Sequence, residues 1–393
     1  MQHTVYNHVT SKLSELDKRM IKCVPQGGNW RDIDESIPSK RLEQIRRGLK
    51  GGSRSTYYGR LRWDRPAYTI STFFNRPGNG CFIHPDQERL LSQREAARLQ
   101  SFPDSFRFYG SKTSTYKQVG NAVPPLLAYA IGRNIPPSEA VDLFCGAGGL
   151  SLGMELAGHH IMLAADMNAD FLETYSKNRQ VSTRVMQGDL SSKEFLKRIV
   201  SAIGAMPNKR EVDLLIGGPP CQGFSEAGNK RSVTDPRNAL YEAFLDAVLL
   251  LSPKYFVMEQ IPSVRTLAGG KFFEVLVRKF QSLPGYRVNW VLLRAEEFGV
   301  PQLRRRIFIL GSSNGELGPP NPIIGPLLSP PVNVGDAISD LPRTISSVDG
   351  GVISYQVPEE ASIYCKWATG QIPVEDAIAK LGKSQSNAEW WTT

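Results

Sequence analysis

Cysteine is scarce in this chain of 393 residues, and no two cysteines have a C-x-x-C spacing. The five are Cys23, Cys81, Cys145, Cys221 and Cys365. An odd, scattered set argues against a disulfide framework and against a zinc site. The five histidines add no metal signal, because His159-His160 is their only close pair. We therefore expect no bound metal.

Long apolar segments are also missing: no run is long enough to span a membrane, and the N-terminus has no signal-peptide core. We expect a cytoplasmic protein, associated with the nucleoid if its source is bacterial, in a reduced compartment that keeps a thiol usable. Acidic residues number 38 against 47 basic ones, which gives a formal charge of +9 and a pI near 9.3. This balance favours a polyanionic partner.

Apolar runs alternate with helical patterns in the middle of the chain. The runs cover residues 140–144, 161–165, 184–186, 212–216, 255–258, 288–293 and 307–310. Strands alternating with helices predict an α/β fold with a doubly wound, mostly parallel sheet. The length suggests at least two domains.

Five segments follow from these patterns: 1–60, 61–132, 133–139, 140–311 and 312–393. The first is polar and basic, with a predicted helix at 39–49, and the last is weakly periodic, with one predicted helix at 374–381. Segment 61–132 contains helices at 93–101 and 125–132, the first opened by a capping box at Ser92. Residues 57–66 interleave aromatic residues with arginines. That mixture suits phosphate contacts, and it fits a salt-bridged surface equally well.

Cys221 stands out among the cysteines. It lies in Gly217-Gly218-Pro219-Pro220-Cys221-Gln222-Gly223-Phe224-Ser225, directly after the apolar run 212–216. A residue just past a buried strand lies at the carboxyl edge of the sheet, where open α/β folds bind their ligands. A single cysteine is more often a small buried hydrophobic residue. Here the strand end and the flanking glycines favour a reactive thiol.

A glycine-rich turn follows the first predicted strand, in Phe144-Cys145-Gly146-Ala147-Gly148-Gly149-Leu150-Ser151. It differs from the dinucleotide fingerprint, because Ser151 stands where the third glycine would fall. Acids recur at three strand ends, Asp142, Asp166 and Asp189. Each acid alone fits a turn residue or a helix cap. Together they favour a cofactor with ribose hydroxyls and a cationic portion, and S-adenosylmethionine fits that description.

Further reactive groups lie on the other side of Cys221. Glu259 ends the fifth predicted strand, and Arg304 and Arg306 lead into the last one. A thiolate, a carboxyl group and guanidinium groups beside a methyl donor describe nucleophilic catalysis with activation of the electrophile. We expect these four side chains to meet at one edge of the sheet.

These motifs resemble those of the DNA (cytosine-5)-methyltransferases. Residues 142–149 resemble the cofactor motif of that family, 219–225 the nucleophile motif and 237–240 the helix that follows it. Gln302, Arg304 and Arg306 match its Q-x-R-x-R motif. Residues 94–103 and 118–125 resemble its last two conserved blocks. The resemblance covers residues 57–132 and 140–311, and it implies the S-adenosylmethionine-dependent methyltransferase fold with a small irregular target-recognition domain.

Two departures from the family pattern are visible. The last two blocks precede the cofactor motif, so the sequence looks circularly permuted, and the helix after Asn121 is expected to pack beside the first strand. Recognition would then be shared between residues 1–60 and 312–393. The second departure is Glu259-Gln260-Ile261, where the family usually has Glu-Asn-Val. If that Asn anchors the nucleophile loop, we expect Gln260→Asn to retain or raise activity.

The resemblance implies a mechanism and a set of ligand contacts. Cys221 would attack C6 of a flipped cytosine, Glu259 would engage N3, Arg306 would hold O2, and Arg304 would support the site. The implied contacts of S-adenosylmethionine are Asp142, Phe144, Gly146, Gly148, Gly149, Asp166, Met167, Asp189, Leu190, Pro219, Asn121 and Val123. The implied partner is double-stranded DNA.

Three alternatives remain at this point. One branch of the family methylates cytosine in transfer RNA, so RNA is a second candidate substrate. A non-catalytic DNA-binding subunit on the same fold is another reading. The small recognition region also allows a second chain to supply part of it, in place of a monomer.

Overall fold

The computed structural model describes most of the chain. Its described residues are 2–48, 56–179, 182–206, 211–220, 240–324, 329–343 and 351–383. The strands are β1 (Gln2–Val5), β2 (Gly59–Arg60), β3 (Ala67–Tyr68), β4 (Cys81–Ile83), β5 (Glu139–Leu143), β6 (His160–Asp166), β7 (Arg184–Gln187), β8 (Leu214–Gly217), β9 (Tyr255–Gln260), β10 (Arg287–Arg294), β11 (Gln302–Leu303), β12 (Arg305–Ser312) and β13 (Ile353–Gln356). The helices are α1 (Glu15–Cys23), α2 (Lys40–Gly48), α3 (Gln93–Leu99), α4 (Lys112–Asn121), α5 (Pro125–Gly132), α6 (Gly149–Leu156), α7 (Ala169–Lys177), α8 (Lys193–Gly204), α9 (Leu240–Leu251), α10 (Lys271–Gln281), α11 (Val334–Ile338), α12 (Ile363–Ala368) and α13 (Val374–Leu381). Within these ranges, no helix is both long and apolar enough to cross a membrane.

The chain divides into two compact units. The first comprises Met1–Asn121, Gly299–Arg304 and Ile323–Thr393, and the second comprises Ala122–Phe298 and Arg305–Pro322. The sequence patterns placed boundaries after residues 132 and 311 instead. Helix α5 accounts for the earlier break, because it joins the second unit by packing against α6.

The contact between α5 and α6 is close. A side chain on Gly153 of α6 would lie 2.3 Å from the Pro125 carbonyl oxygen and 2.4 Å from the Ala128 Cβ atom. The main neighbour of α5 is therefore the helix that follows the first strand of the sheet, and not the strand itself as the sequence suggested.

A seven-stranded sheet forms the centre of the second unit, in the order β10-β12-β9-β8-β5-β6-β7. Strands β5 to β9 pair in parallel, whereas β12 runs antiparallel to both β9 and β10. The central strands are apolar along their whole length because both faces of a parallel sheet are covered. In β6, for example, Ile161 to Ala165 are all buried. The expected α/β fold with a mostly parallel sheet is confirmed.

Strand ends differ from the predicted ones by a few residues. Strand β5 begins at Glu139, inside the predicted linker, because Glu139 pairs with His160. Strand β8 spans Leu214–Gly217 and so includes one of the glycines that the sequence assigned to a turn. Glycine is needed at this position of β8, because a Cβ atom on Gly217 would lie 2.3 Å from the Leu143 carbonyl oxygen.

Aromatic residues fill the core between the sheet and its helices. The rings of Phe244, Phe256 and Phe280 contact one another, with centroids 5.7–6.4 Å apart. All three side chains are fully buried, and burial of each contributes roughly 2–3 kcal/mol relative to an exposed ring. Gly311 of β12 makes room for them, since a Cβ atom there would lie 2.0 Å from Phe256.

The first unit is built from helices and three two-stranded sheets. Strand β1 pairs antiparallel with β13, which joins residues 2–5 to residues 353–356. The capping box predicted at Ser92 is present, with the Glu95 side chain bonded back to the Ser92 amide, and it opens α3. The predicted helix at 374–381 is α13, and the one at 125–132 is α5.

Arginines in the stretch 57–66 are not free to meet a phosphate. The Arg60 guanidinium is buried and donates to the carbonyl oxygens of Ile21, Val24, His84 and Gln87 at 2.7–2.8 Å. Arg62 forms an exposed ion pair with Asp64 at 2.7 Å. The interpretation of this stretch as a salt-bridged, structural segment is therefore the better one.

Candidate active site

Sheet topology brings the ends of several strands together. The parallel strands β5 to β9 all end at the same edge, and the antiparallel strand β12 begins there. The register pairs Phe308 with Glu259 and Ile307 with Gln260, so Arg306 lies beside the end of β9. Ligands of open α/β sheets bind at this carboxyl edge.

Glu259 and Arg306 form an ion pair at this edge. The Arg306 Nε atom lies 2.6 Å from the Glu259 Oε1 atom, and both side chains are 12% exposed. Burial lowers the pKa of Arg306, although Glu259 opposes this shift. The pair is accessible enough to meet a ligand and dry enough for its charges to act strongly.

The backbone before Cys221 passes close to this pair. A Cβ atom on Gly218 would lie only 3.2 Å from the Glu259 Oε2 atom, so glycine keeps space open beside the carboxylate. Gln260 is 2% exposed, and its side-chain amide donates to the Pro219 carbonyl oxygen at 3.0 Å. The residue that departs from the family pattern thus anchors the segment leading to Cys221.

Cys221 and residues 222–239 lie outside the described residues. Among the described cysteines, burial raises the pKa of Cys81 and Cys365 to about 12 and that of Cys145 well above its usual value. These three thiols stay protonated and do not serve as nucleophiles. The described part of the chain also contains no cluster of three or more potential metal ligands.

Arg304 was expected to support the catalytic groups, and this stays a prediction; the contacts that the structure describes for it are to backbone. The side chain is buried in the first unit and donates to the carbonyl oxygens of Ile70 at 3.0 Å and Gly120 at 2.8 Å. Neighbouring Gln302 donates to the Leu99 carbonyl oxygen at 2.9 Å. Arg304 thus holds two carbonyl groups of the first unit in place.

The glycine-rich turn has the backbone that its sequence predicts. Phe144, Gly146 and Gly148 have φ of 62°, 54° and 94°, and Gly149 begins α6. A positive φ at a bulky residue such as Phe144 is strained, and such strain clusters at functional sites. A Cβ atom on Gly146 would meet nothing within 4 Å, so this part of the turn faces open space.

Asp142 differs from the expected strand-end acid. It lies inside β5, fully buried, and its Oδ2 atom accepts from the Ser151 hydroxyl at 2.5 Å. Burial raises its pKa to about 7, although the Ser151 hydrogen bond opposes the shift. The carboxyl group therefore supports the turn from beneath and does not face a ligand.

The other two acids do lie at strand ends. Asp166 ends β6 and accepts backbone N–H groups of Gly146 at 3.0 Å and Asn168 at 2.9 Å. Burial raises its pKa, against those hydrogen bonds. Asp189 follows β7, is exposed, and accepts from the Ser191 hydroxyl at 2.7 Å. Both carboxylates keep lone pairs for a ligand.

The remaining predicted contacts vary in exposure. Met167 is 69% exposed at the end of β6, which is unusual for a large apolar side chain. Leu190 is 3% exposed and packs within the core, and its contact with the cofactor stays a prediction. Val123 and Pro219 are buried in the second unit, and Asn121 is an exposed residue that ends α4 in the first.

Sequence patterns missed a group of polar side chains around the turn. Tyr175 and Arg179 come from the second half of α7 and the residues after it, and both pack under Gly148. The close approach of Gly218 to Glu259 was also missed. The one available signal was Ser151, which stood out only because it replaces a glycine. Residues that are distant in sequence leave no sequence pattern to show that they are in contact.

Comparisons with known proteins identify the family of this chain. The sequence model of the family described as C-5 cytosine-specific DNA methylase matches residues 2–136 and 138–356. The chain therefore belongs to this family, and its fold is the S-adenosylmethionine-dependent methyltransferase fold.

Individual relatives match over part of their length. The type II methyltransferase M1.HphI of Haemophilus parahaemolyticus is 38% identical over 222 residues, which are 55% of this chain and 56% of that one. M.AquIA of Picosynechococcus sp., also a type II methyltransferase, is 36% identical over 52% of this chain and 89% of its own length. The chain spans about half the length of most of the curated relatives it matches. A solved E. coli protein, described as a DNA modification methyltransferase encoded within a prophage, has 28% identity over 62% of this chain and 68% of its own, with a TM-score of 0.46.

Proposed function

We propose that this protein methylates C5 of cytosine in double-stranded DNA, with S-adenosylmethionine as the methyl donor. The observation that carries the proposal is the Glu259–Arg306 pair at the carboxyl edge of the sheet, 2.6 Å apart. Beside it runs the glycine-proline segment that leads into Cys221 and is anchored by Gln260. Family membership and the type II names of the relatives support the same activity and a role in restriction–modification.

The residues around the turn fit this cofactor. Gly146 faces open space, and Gly148 begins α6 without a side-chain cap. Asp166 and Asp189 provide acceptors for hydroxyl and amino groups, and the exposed Met167 suits the face of an adenine ring. Two acids and no basic side chain at these strand ends favour a cationic ligand over a pyrophosphate.

Each reacting side chain has a separate role in the proposed reaction. The Cys221 thiolate forms a bond to C6 of a cytosine flipped out of the duplex, because C5 and C6 are out of reach within the base stack. Glu259 hydrogen-bonds or protonates N3, so that the ring accepts the electron pair, and Arg306 holds O2. S-adenosylmethionine, when bound, supplies the methyl group for C5. Loss of the C5 proton then breaks the bond between Cys221 and C6.

We further propose that the family's blocks are circularly permuted in this chain. The close packing of α5 on α6 supports this order, because only the short segment 133–138 then has to connect α5 to β5. In this proposal, residues 61–132 carry the family's last two blocks and 140–311 carry cofactor binding and catalysis. Residues 1–60 and 312–393 supply target recognition.

Bisulfite sequencing of DNA from a host expressing the protein tests the proposal. We expect 5-methylcytosine at one defined sequence, and we expect none with Cys221→Ser, although that variant still binds S-adenosylmethionine. Methyl transfer by Cys221→Ser at the wild-type rate would overturn the mechanism. Methylation of transfer RNA but not duplex DNA by the purified protein would overturn the substrate.

A methylation assay with the purified protein also tests whether a second chain is needed. If the purified chain alone methylates a defined duplex, no second chain is required for recognition. Because the proposed substrate is cellular DNA, we propose that the protein acts in the cytoplasm, at the nucleoid of a bacterial host.

A further inference from the structure

Gly148 adopts a conformation that needs external support. Its φ of 94° lies in the left-handed region, and its carbonyl group begins α6 by accepting the Leu152 amide at 2.9 Å. No side chain caps this helix. The orientation of the Gly148 peptide decides where the neighbouring amides of the turn point, so whatever fixes it also shapes the ligand site.

Arg179 makes the contacts that fix this peptide. Its Nη2 atom donates to the Gly148 carbonyl oxygen at 2.8 Å, and its Nε atom donates to the Glu155 carboxylate at 3.0 Å. Its guanidinium carbon lies 3.7 Å from the centroid of the Tyr175 ring. The side chain is 4% exposed, so the guanidinium group is held on three sides at once.

The packing against Gly148 is tight as well as polar. A Cβ atom on Gly148 would lie 2.5 Å from the Arg179 Nη1 atom and 2.8 Å from the Tyr175 ring. Only glycine allows the guanidinium group to approach this closely. Burial alone would lower the pKa of Arg179, but Tyr175 and Glu155 more than offset this and raise it. The charge is therefore kept under the turn.

A second chain of hydrogen bonds continues inward from Tyr175. Its hydroxyl group lies 2.7 Å from the Ser151 hydroxyl, which in turn donates to Asp142 in β5. Helices α6 and α7 are thereby tied to the first strand of the sheet directly beneath the glycine-rich turn. Arg179 lies at the outer end of this chain, where the turn itself is held.

We propose that Arg179 is a positioning residue for S-adenosylmethionine, which sets the shape of the turn through the Gly148 carbonyl group. The inference rests on the proposal that this turn holds the cofactor. A planar guanidinium group is required, because it donates in two directions while stacking on a ring. A lysine at this position keeps the charge but cannot make all three contacts.

The experiment compares Arg179→Lys, Arg179→Ala and Glu155→Gln with the wild-type chain. Isothermal titration calorimetry measures the Kd of S-adenosylmethionine, and steady-state methyl transfer gives kcat and KM for cofactor and DNA separately. We expect the Kd and KM of the cofactor to rise about 10-fold in Arg179→Lys and more in Arg179→Ala, because misplaced contacts weaken binding steeply. We expect kcat and the Kd of DNA to change less than about 3-fold, since Arg179 lies away from the reacting groups.

Arg278→Ala is the matched control. Arg278 pairs with Glu274 on the exposed face of α10 at 3.9 Å, with its side chain 78% exposed. We expect it to leave the cofactor Kd unchanged. If Arg179→Ala fails to fold, Arg179→Lys and Glu155→Gln still carry the comparison.

Two outcomes overturn the inference. One is an unchanged cofactor Kd in folded Arg179→Lys. The other is a cofactor Kd and a DNA Kd that weaken equally, in step with a lower melting temperature, which would show a merely structural role. If the wild-type chain binds S-adenosylmethionine but methylates no DNA, the proposed function fails while the inference about the turn stands. If the wild-type chain does not bind S-adenosylmethionine, both fail.

Discussion

Several buried carboxyl groups of the first unit have lowered pKa values, whereas several of the second unit have raised ones. In the first unit, the fully buried Arg98 donates to Asp104 at 2.7 and 2.9 Å and to Asp340 at 2.5 Å. These contacts outweigh burial and hold the pKa of Asp104 well below its usual range. Glu95 behaves similarly, because Arg89 and two histidines offset its burial and lower its pKa to about 2.

Carboxyl groups in the second unit behave differently. Burial raises the pKa of Asp142 to about 7 and also raises that of Asp166 and Glu155. Within the described residues, the Asp142 Oδ1 atom has no hydrogen-bond partner. Of these three, only Asp166 ends a strand, whereas Asp142 lies inside β5 and Glu155 lies in α6. The contrast is between carboxyl groups whose pKa is lowered by buried arginines and carboxyl groups whose pKa is raised by burial.

Removing Arg98 is the strongest way to break this contrast. Arg98→Ala leaves Asp104 and Asp340 buried without their main counter-charge, so we expect a loss of about 3–5 kcal/mol in the free energy of unfolding. Urea-induced unfolding of the full chain measures it. Arg278→Ala, an exposed ion pair, should change this free energy by less than about 0.5 kcal/mol. Equal effects of the two variants would show that the buried network adds nothing.

Asp142→Asn tests the raised pKa of Asp142 through the pH dependence of the stability of the fold. In the unfolded chain Asp142 loses its proton near the ordinary pKa of about 4, whereas in the folded protein it keeps it to about 7. Asp142 therefore stabilises the fold at acid pH, and this contribution is lost as the pH rises from about 4 to about 7. Its size is about 4 kcal/mol, since one pKa unit is worth about 1.4 kcal/mol.

The measurement for Asp142 is the melting temperature against pH. We expect the difference between the wild-type chain and Asp142→Asn to shrink steadily from pH 4 to pH 8, because asparagine does not titrate. A constant difference over this range would contradict the raised pKa. Glu95 has the opposite sign: its lowered pKa gives stability above pH 4 that is lost as the pH falls toward 2.

Gln260→Asn tests a hydrogen bond in the second unit and has the smallest expected effect of these variants. Asparagine is one methylene shorter, so its amide would not reach the Pro219 carbonyl oxygen, now 3.0 Å from Gln260. We expect kcat to fall about 10-fold, the cost of one weakened buried hydrogen bond. This replaces the expectation of retained or higher activity, which assumed that asparagine was the better anchor.

Two further variants test that anchor. Gln260→Glu has the same length but loses the donor when ionised, so it should be at least as impaired as Gln260→Asn. Gln281→Asn, on the exposed face of α10, makes the same chemical change away from the site and should have no effect on kcat. Full activity of Gln260→Glu would show that the hydrogen bond to Pro219 does not position the nucleophile.

Much of the fold and part of the site could be predicted from sequence. Apolar runs fixed which segments become strands, because parallel strands are buried on both faces. Glu259 and Arg306 were predicted to meet, and they do, because strand order and direction bring their ends together. The backbone contacts of Arg304 could not be predicted, because Ile70 and Gly120 are distant from it in sequence.

Some features of this protein follow from local sequence, and others depend on tertiary contacts. Local sequence was enough to predict the alternation of strands and helices, the glycine-rich turn, the strand-end acids Asp166 and Asp189 and the family, since each depends on residues close together in the chain. Three-dimensional packing was needed to show that Asp142 is buried, that Gln260 anchors Pro219 and that Arg179 supports Gly148. Burial and hydrogen-bond geometry depend on what packs against a side chain, and the packing partners are distant in sequence.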